Sequence, residues 1–199
     1  MVSLNNITGL AGSTFVIIAA VAHLPGVFRL RNFRFAIVAG LVALVVLTPM
    51  GILPLAAYLR GWIGDLSITS LALLILSLST RLPGRNIFDS RRNSLLFILI
   101  VLSGLFLYPM ALGLGYWDPY RLGLGNAWFL GGLFVLALSA CFYELSLIAL
   151  IIALAVLAWS TEWYESRNLW DYLLDPMLFI YAITQLLRSG IQGVFLLLD

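Results

Sequence analysis

Long apolar stretches, separated by short polar segments, alternate along the whole chain. A helix needs about 20 predominantly apolar residues to cross the hydrocarbon core of a bilayer. The pattern therefore predicts an all-α fold, a polytopic transmembrane helical bundle that forms one integral membrane domain over residues 1–199. Seven stretches reach or approach the required length, at residues 7–24, 35–58, 62–79, 95–114, 126–142, 145–160 and 172–187.

The region from residue 126 to residue 160 is the least clearly divided part of this pattern. It is almost continuously apolar, and at 1.5 Å per residue it is too long for a single span. We interpret it as a tight helical hairpin that turns near Glu144, which brings the number of spans to seven. A chain without this turn has six spans, and the pattern alone leaves that alternative open.

Proline interrupts two of the predicted spans. Pro49 and Pro54 lie inside the second stretch, and Pro109 lies inside the fourth. Proline kinks or breaks a helix because it has no backbone N–H and its ring clashes with the preceding turn. Broken helices line substrate paths in transporters, but many membrane helices bend at proline without any transport role.

The charged residues sort to opposite sides of this arrangement. Basic residues are in excess in cytoplasmic loops, and eight of the eleven arginines fall on one predicted side. The N-terminus is therefore predicted outside and the C-terminus in the cytoplasm. Six of the nine acids and all six tryptophans fall on the outer side. The inner arginines are Arg29, Arg31, Arg34, Arg81, Arg85, Arg91, Arg92 and Arg188.

Composition supports a membrane location and excludes several chemistries. Hydrophobic residues make up 62% of the chain and charged residues only 10%, whereas a soluble domain carries about 25% charged residues. One cysteine and one histidine exclude a disulfide framework and a Cys- or His-rich metal centre, so no metal or cofactor is expected. The absence of lysine excludes a retinal Schiff base. The all-arginine usage and the short loops favour a bacterial inner (plasma) membrane, with no nucleic-acid partner.

Three clusters of aromatic and charged residues occupy the predicted outer loops. Arginine can bind a phosphate or carboxylate through paired hydrogen bonds, and a neighbouring acid can orient it or act as a general base. The aromatic rings can stack on sugars or contact apolar side chains of a partner. We name the candidate binding residues of these clusters the outer rim. They are Arg60, Asp65, Trp117, Asp118, Tyr120, Arg121, Glu162, Glu165, Arg167, Trp170, Asp171 and Asp175.

The same residues also have a purely structural interpretation. Asp65 can cap the third span, Asp118 precedes a proline as in many turns, and Asp175-Pro176 is a favourable helix start. Trp and Tyr commonly anchor helices at the membrane interface. Structural anchoring and capping is the stronger of the two interpretations, although the density of acids after residue 161 keeps a binding site open.

Three functions remain compatible with the sequence. The motifs of zinc proteases, P-loop nucleotide-binding proteins and α/β-hydrolases are absent, which favours a non-enzymatic accessory or scaffold subunit of a cell-envelope assembly, docking a membrane protein through the outer rim. The alternative is an enzyme or carrier for a lipid headgroup or lipid-linked glycan at the outer leaflet. It requires that six rim residues converge on one cavity. A small transporter is the second alternative, disfavoured by the few ionisable groups in the spans. The six rim residues that the enzyme or carrier alternative requires in one cavity are Arg60, Asp65, Asp118, Glu162, Glu165 and Asp171.

Overall fold

The computed structural model describes residues 4–22, 24–28, 30, 32–49, 51–79 and 90–198. These residues form helices and connecting turns, with an isolated bridge between Pro49 and Pro54 and no strand among them, which confirms the all-α prediction. A 3-10 turn, Pro119–Gly123, precedes α7. The inner arginines at 29, 31, 81 and 85 lie outside the described residues. The helices are α1 (Leu4–Ala22), α2 (Pro25–Phe28), α3 (Asn32–Leu47), α4 (Leu55–Ile63), α5 (Ile68–Ser79), α6 (Ser90–Ala111), α7 (Ala127–Phe142), α8 (Ser146–Ser160), α9 (Trp170–Leu173) and α10 (Pro176–Leu198).

Within the described ranges, one helix is both long and apolar enough to cross a membrane. The segment Ser94–Ala111 of α6 has a mean hydropathy of 2.2 over 18 residues, and 22% of these residues are buried. Eighteen helical residues extend about 27 Å, close to the thickness of a bilayer core. The seven-span arrangement therefore stays a prediction. Shorter apolar helical segments are Gly9–Ala22, Phe33–Leu47, Ile68–Ser79, Ala127–Phe142 and Ser146–Ser160.

The second apolar stretch, predicted over residues 35–58, is not one continuous helix. Helix α3 ends at Leu47, and α4 starts only at Leu55. Pro49 and Pro54 explain the interruption, because proline disfavours the helical conformation of the residue before it and cannot donate the next helical hydrogen bond. Gly51, with φ of 99°, turns the chain between the two helices.

Two helices occupy the region for which the sequence predicts a hairpin. Helix α7 ends at Phe142, α8 begins at Ser146, and a three-residue turn joins them. Glu144 takes a left-handed conformation with φ of 57°, and the backbone N–H of Leu145 donates to the carbonyl of Ala140 over 2.7 Å. This closure satisfies a terminal carbonyl of α7. Cys141, in the last turn of α7, is exposed.

The third and last predicted spans begin later than the hydropathy pattern suggests. Gly64, with φ of 76°, ends α4, so that Trp62 belongs to α4 and α5 starts at Ile68. At the other end of the chain, residues 170–173 form the separate short helix α9, and α10 begins at Pro176. Proline suits the first turn of a helix because its missing N–H has no helical partner there.

The fold contains two compact units. The first comprises the described parts of Met1–Leu66, Ser70–Ile87 and Glu162–Glu165. In it, α1 packs against α3 and α4, and these two also contact each other. Small side chains such as Ala22 and Ala56 are fully buried and permit close approach of these helices.

The second unit comprises Ser67–Thr69, Phe88–Thr161 and Ser166–Asp199, in its described part. Helix α6 packs against α10, α7 packs against α8, and α8 packs against α9. Gly104 allows α6 to pack closely against α10, because a Cβ at this position would lie 2.3 Å from Phe179 Cδ2. The Phe179 ring also contacts Tyr108 edge-on, with 5.2 Å between ring centroids.

Candidate functional site

The outer-rim residues fall into two groups, which belong to different units of the fold. Arg60, Asp65, Glu162 and Glu165 lie in the first unit, and the other eight lie in the second. In both groups the buried or half-buried members are held by hydrogen bonds, and the exposed members are not part of an enclosed cavity.

In the first unit, Arg60 and Asp65 form a two-pronged ion pair. The Nε and Nη2 atoms of Arg60 donate to the two carboxylate oxygens of Asp65 over 2.6 and 2.9 Å. The side chains are 20% and 27% exposed, respectively. Gly9 of α1 lies directly against the pair, because a Cβ at this position would stand 2.2 Å from Arg60 Nε. The glycine therefore makes room for the ion pair, and α1 covers it.

The charge of Arg60 is stabilised mainly by its own partner. The hydrogen bond that Arg60 donates to Asp65 raises the pKa of Arg60, burial opposes this effect, and the charges of Asp65 and Glu165 add to it. Glu165 and Glu162 are themselves exposed, and Glu162 takes a left-handed conformation with φ of 52°. In this unit the guanidinium is committed to a carboxylate five residues along the chain, as expected for a structural ion pair.

In the second unit, Asp171 accepts hydrogen bonds from two neutral hydroxyls. Tyr120 Oη donates to Asp171 Oδ2 over 2.8 Å, and Ser166 Oγ donates to the same oxygen. Burial and, after it, the hydrogen bond to Asp171 raise the pKa of Tyr120 to about 12. The phenol therefore stays protonated at neutral pH and serves as a donor to the carboxylate.

Asn168 and Trp170 extend this network to the 3-10 turn. Asn168 Nδ2 donates to the carbonyl of Tyr120 over 2.8 Å, and its Oδ1 accepts from the backbone N–H of Trp170 over 3.0 Å. Trp170 Nε1 donates to the carbonyl of Pro119 over 3.0 Å. Gly123 is required for the close contact, because a Cβ there would lie 1.7 Å from Asn168 Oδ1. We call Tyr120, Ser166, Asn168, Trp170 and Asp171 the loop network.

Asp175 is the most deeply buried acid of the outer rim, with 6% of its surface exposed. Its Oδ1 accepts from the backbone N–H of Leu178 over 2.8 Å, which caps α10. Its Oδ2 accepts from the backbone N–H and from Oγ of Ser67, over 2.9 and 2.7 Å. One carboxylate thus caps a helix and joins residues 67 and 175.

The exposed rim residues of the second unit lie on loops and have local contacts. The Trp117 ring, 53% exposed, lies 5.6 Å from the Phe106 ring, and Asp118 accepts from the backbone N–H of Tyr120 over 3.0 Å. Arg121 and Arg167 are exposed. The turn chemistry anticipated for Asp118 and the helix start anticipated for Asp175 are both present in the structure.

Three residues that hold this region together were not among the candidates. Asn168 is buried at the centre of the loop network, Ser166 binds Asp171, and Ser67 binds Asp175. Neutral side chains carry little signal in a sequence that is searched for charge and aromaticity. Asn168 is still recognisable in retrospect, because a polar amide between arginine and two apolar residues needs a hydrogen-bonding partner once it is buried.

The second unit also contains a cavity of about 460 Å³, lined almost entirely by apolar side chains. Of the outer-rim residues, Trp170 alone appears in its lining, and none of the rim carboxylates does. Among the residues that the structure describes, no three His, Cys, Asp or Glu side chains are grouped so as to hold a metal ion. The cavity and the rim acids are therefore separate features.

Comparison with protein-family models, curated proteins and solved structures gave no match for this chain. Function is therefore inferred from the geometry. Nucleophilic or acid–base catalysis needs a reactive side chain that is positioned by a partner and still accessible to a substrate. The half-buried rim groups instead have their oxygens and nitrogens directed at one another or at the backbone.

Proposed function

We propose that this chain is an integral membrane protein that serves as a non-catalytic accessory or scaffold subunit of a cell-envelope assembly. The observation that carries the proposal is that the buried polar side chains of the outer rim hydrogen-bond to other groups of the protein itself. Arg60, Asp65, Asp171 and Asp175 are all engaged with partners inside their own units. The exposed aromatic and charged side chains of the rim then provide surface for docking rather than a reaction centre.

The exposed side chains of the helices support the membrane location. Soluble proteins rarely expose apolar patches larger than a few hundred Å², yet apolar side chains at least half exposed recur along α3, α6 and α7. Lipid is the solvent that such helix surfaces require. Examples are Leu41, Leu44, Val45, Leu102, Leu105, Phe134, Val135 and Leu138.

The proposed arrangement has seven spans with the N-terminus outside and the C-terminus in the cytoplasm of a bacterial inner membrane. The sorting of arginine supports this orientation. Several of the proposed spans are short, with α5 at 12 residues and α7 at 16. A helix shorter than the hydrocarbon core is accommodated by local thinning of the bilayer and by residues at its ends that reach the interface.

Docking is assigned to the exposed rim residues of the loop between α6 and α7. Trp117 and Arg121 are the residue types that most often contribute strongly to protein–protein binding, because they combine apolar area with directed hydrogen bonding. Their expected partner is a membrane protein that presents apolar and acidic side chains near the outer surface. The headgroup-enzyme alternative receives less support, because Asp171 and Asp175 already accept two and three hydrogen bonds.

Purification from native membranes in a mild detergent, followed by protein mass spectrometry, tests this function. We expect a second protein in stoichiometric amount with the wild-type chain. The double substitution Trp117→Ala with Arg121→Ala should reduce its recovery at least tenfold, since truncation of a central Trp or Arg commonly weakens binding by that factor or more.

Phe142→Ala is the matched control, because Phe142 is an exposed aromatic residue, 83% exposed, at the opposite end of α7. It should leave the recovery of the partner unchanged. Purification of the wild-type chain without any stoichiometric protein would contradict the subunit proposal, as would equal loss of the partner in the control variant.

A further inference from the structure

The helices of the second unit leave a gap within their own packing. Helix α6 packs on α10, and α7 packs on α8, but neither α7 nor α8 packs closely on α6 in the described part of this unit. The cavity of about 460 Å³ lies between them, and its size is within the range of about 300–1,000 Å³ that is usual for ligand sites. Leu96, Leu99 and Ile100 line it from α6, and Ile148 and Ile151 line it from α8.

One face of helix α7 lines the cavity. The same face is partly exposed, so the cavity is open along the side of this helix. Trp128, Gly132 and Leu136 recur at intervals of four residues along this face, and all three line the cavity. Trp128 is 89% exposed and Leu136 is 37% exposed. From Trp128 to Leu136 the helix rises about 12 Å. A molecule can therefore enter from the side of the helix over two turns.

Thr69 supplies a polar contact that lacks a partner. It belongs to the lining of the cavity, and only 2% of its surface is exposed. Within the described part of the chain, its Oγ1 makes no hydrogen bond. A buried hydroxyl without a partner is uncommon, because it loses its bonds to water without replacing them. An oxygen or nitrogen of a molecule bound in the cavity would supply the missing partner.

Water does not satisfy this cavity. Each buried water molecule needs two to four polar partners. A cavity of about 460 Å³ has room for many waters, whereas its mostly apolar lining offers them the hydroxyls of Thr69 and Ser103. An empty apolar space of this size would also forfeit the dispersion contacts of its walls. The occupant must be mostly hydrocarbon, with a hydrogen-bonding group at the end near Thr69.

We propose that this cavity binds one hydrocarbon chain of a membrane lipid, with a polar oxygen of that lipid hydrogen-bonded to Thr69 Oγ1. The proposal rests on the membrane location of the chain but not on a docking partner. Lipid has the required chemistry, and the proposed bilayer places it against the open face of α7. The ester region of a lipid meets indole rings at the interface, where Trp128 supplies one.

Two neighbouring glycines allow a matched test of the cavity. A Cβ at Gly131 or at Gly132 would meet no heavy atom within 4 Å, so both positions accept a side chain without a clash at that atom. Gly132 lines the cavity and Gly131 does not. Gly132→Leu should fill the entrance, and Gly131→Leu should place the same side chain on another face. Both changes raise helix propensity equally.

The probe is a phosphatidylglycerol with two oleoyl chains, added at increasing ratios to the delipidated protein in detergent and counted by native mass spectrometry. We expect saturation at one tightly held lipid. Gly132→Leu should lower its apparent affinity at least tenfold, and Gly131→Leu should change it less than twofold. Equal affinity in both variants, or a gradual uptake with no preferred stoichiometry, would overturn the proposal.

Substitutions at Thr69 test the polar contact separately. Thr69→Val keeps the shape but removes the hydroxyl, and should weaken binding of the same probe about fivefold. Thr69→Ser keeps the hydroxyl and should retain most of the affinity. If the cavity is instead filled by a helix of another protein, Gly132→Leu will release that polypeptide from the native complex while lipid counts stay constant, and the lipid assignment will be wrong.

Discussion

Two carboxylates of the outer rim, Asp65 in the first unit and Asp175 in the second, look alike in sequence but are stabilised differently. Asp65, whose side chain is 27% exposed, faces the guanidinium of Arg60. Asp175 is almost fully buried and accepts its hydrogen bonds from Ser67 and from the backbone of Leu178. The first pair depends on charge attraction, and the second depends on directed donors in a site that excludes water. Disrupting the two sites should therefore lower the free energy of unfolding by different amounts, and the two losses should differ in their dependence on salt.

The largest effect is expected for Asp175→Ala. This change leaves the hydroxyl and N–H of Ser67 and the N–H of Leu178 without their acceptor, and should lower the free energy of unfolding by about 3 kcal/mol. Denaturant titration in detergent micelles measures it. Asp175→Asn keeps the shape and one acceptor oxygen, and should lose about half as much. A loss below about 1 kcal/mol for the alanine variant would show that water replaces the carboxylate.

An intermediate effect is expected for Tyr120→Phe, which removes the hydrogen bond to Asp171. The free energy of unfolding should fall by about 1.5 kcal/mol, as for other bonds to a charged acceptor. The variant should also change the pH dependence of the free energy of unfolding. Because the pKa of Tyr120 is raised in the folded state to about 12, the folded chain holds its proton more tightly than the unfolded chain. That contribution is complete below about pH 10 and disappears as the pH rises towards 12.

Stability measured as a function of pH distinguishes the contribution of this hydrogen bond from the contribution of packing by the tyrosine ring. Wild type should lose stability between about pH 10 and pH 12 more steeply than Tyr120→Phe, and the difference between the two curves isolates this one phenol. Ultraviolet absorbance of tyrosinate should show one tyrosine fewer titrating near pH 12 in the variant. Parallel curves would mean that Tyr120 does not donate to Asp171 in solution.

The smallest effect is expected for the Arg60–Asp65 pair. Arg60→Lys keeps the charge but loses the two-pronged geometry, and should cost about 0.5–1 kcal/mol. The cost should shrink as salt is raised, because the screening length falls from about 30 Å at 0.01 M to about 3 Å at 1 M ionic strength. Asp175→Ala, in contrast, should be insensitive to salt. If both variants respond to salt alike, the distinction between the two carboxylates fails.

The sequence predicts the helical class and the position of several turns, because both depend on local chemistry. The apolar pattern predicts an all-α chain, and Asp175-Pro176 predicts the start of α10. The pattern places Pro54, in contrast, inside the second stretch, whereas in the structure it precedes the start of α4. The turn at Glu144 falls where the hairpin was predicted. These features need only the residues next to them along the chain.

Other features depend on residues that are distant in sequence and therefore escape a reading of local pattern. Ser67 and Asp175 meet although 108 positions separate them. Asn168 bonds to Tyr120 across 48 positions. The cavity beside α7 results from a gap between packed helices, and a hydropathy pattern does not predict such a gap. Charge and aromaticity selected the rim, whereas neutral amides and hydroxyls hold its buried part in place.

Cys141 gives the chain a built-in reporter group. It is the single thiol of the sequence and is exposed in the last turn of α7, beside Phe142 and the turn into α8. A fluorescent or spin label can therefore be attached at one defined atom without removing any other cysteine. With the orientation proposed above, this thiol faces the cytoplasm, so a maleimide that cannot cross a bilayer reacts with it in inverted vesicles and leaves it unmodified in intact cells.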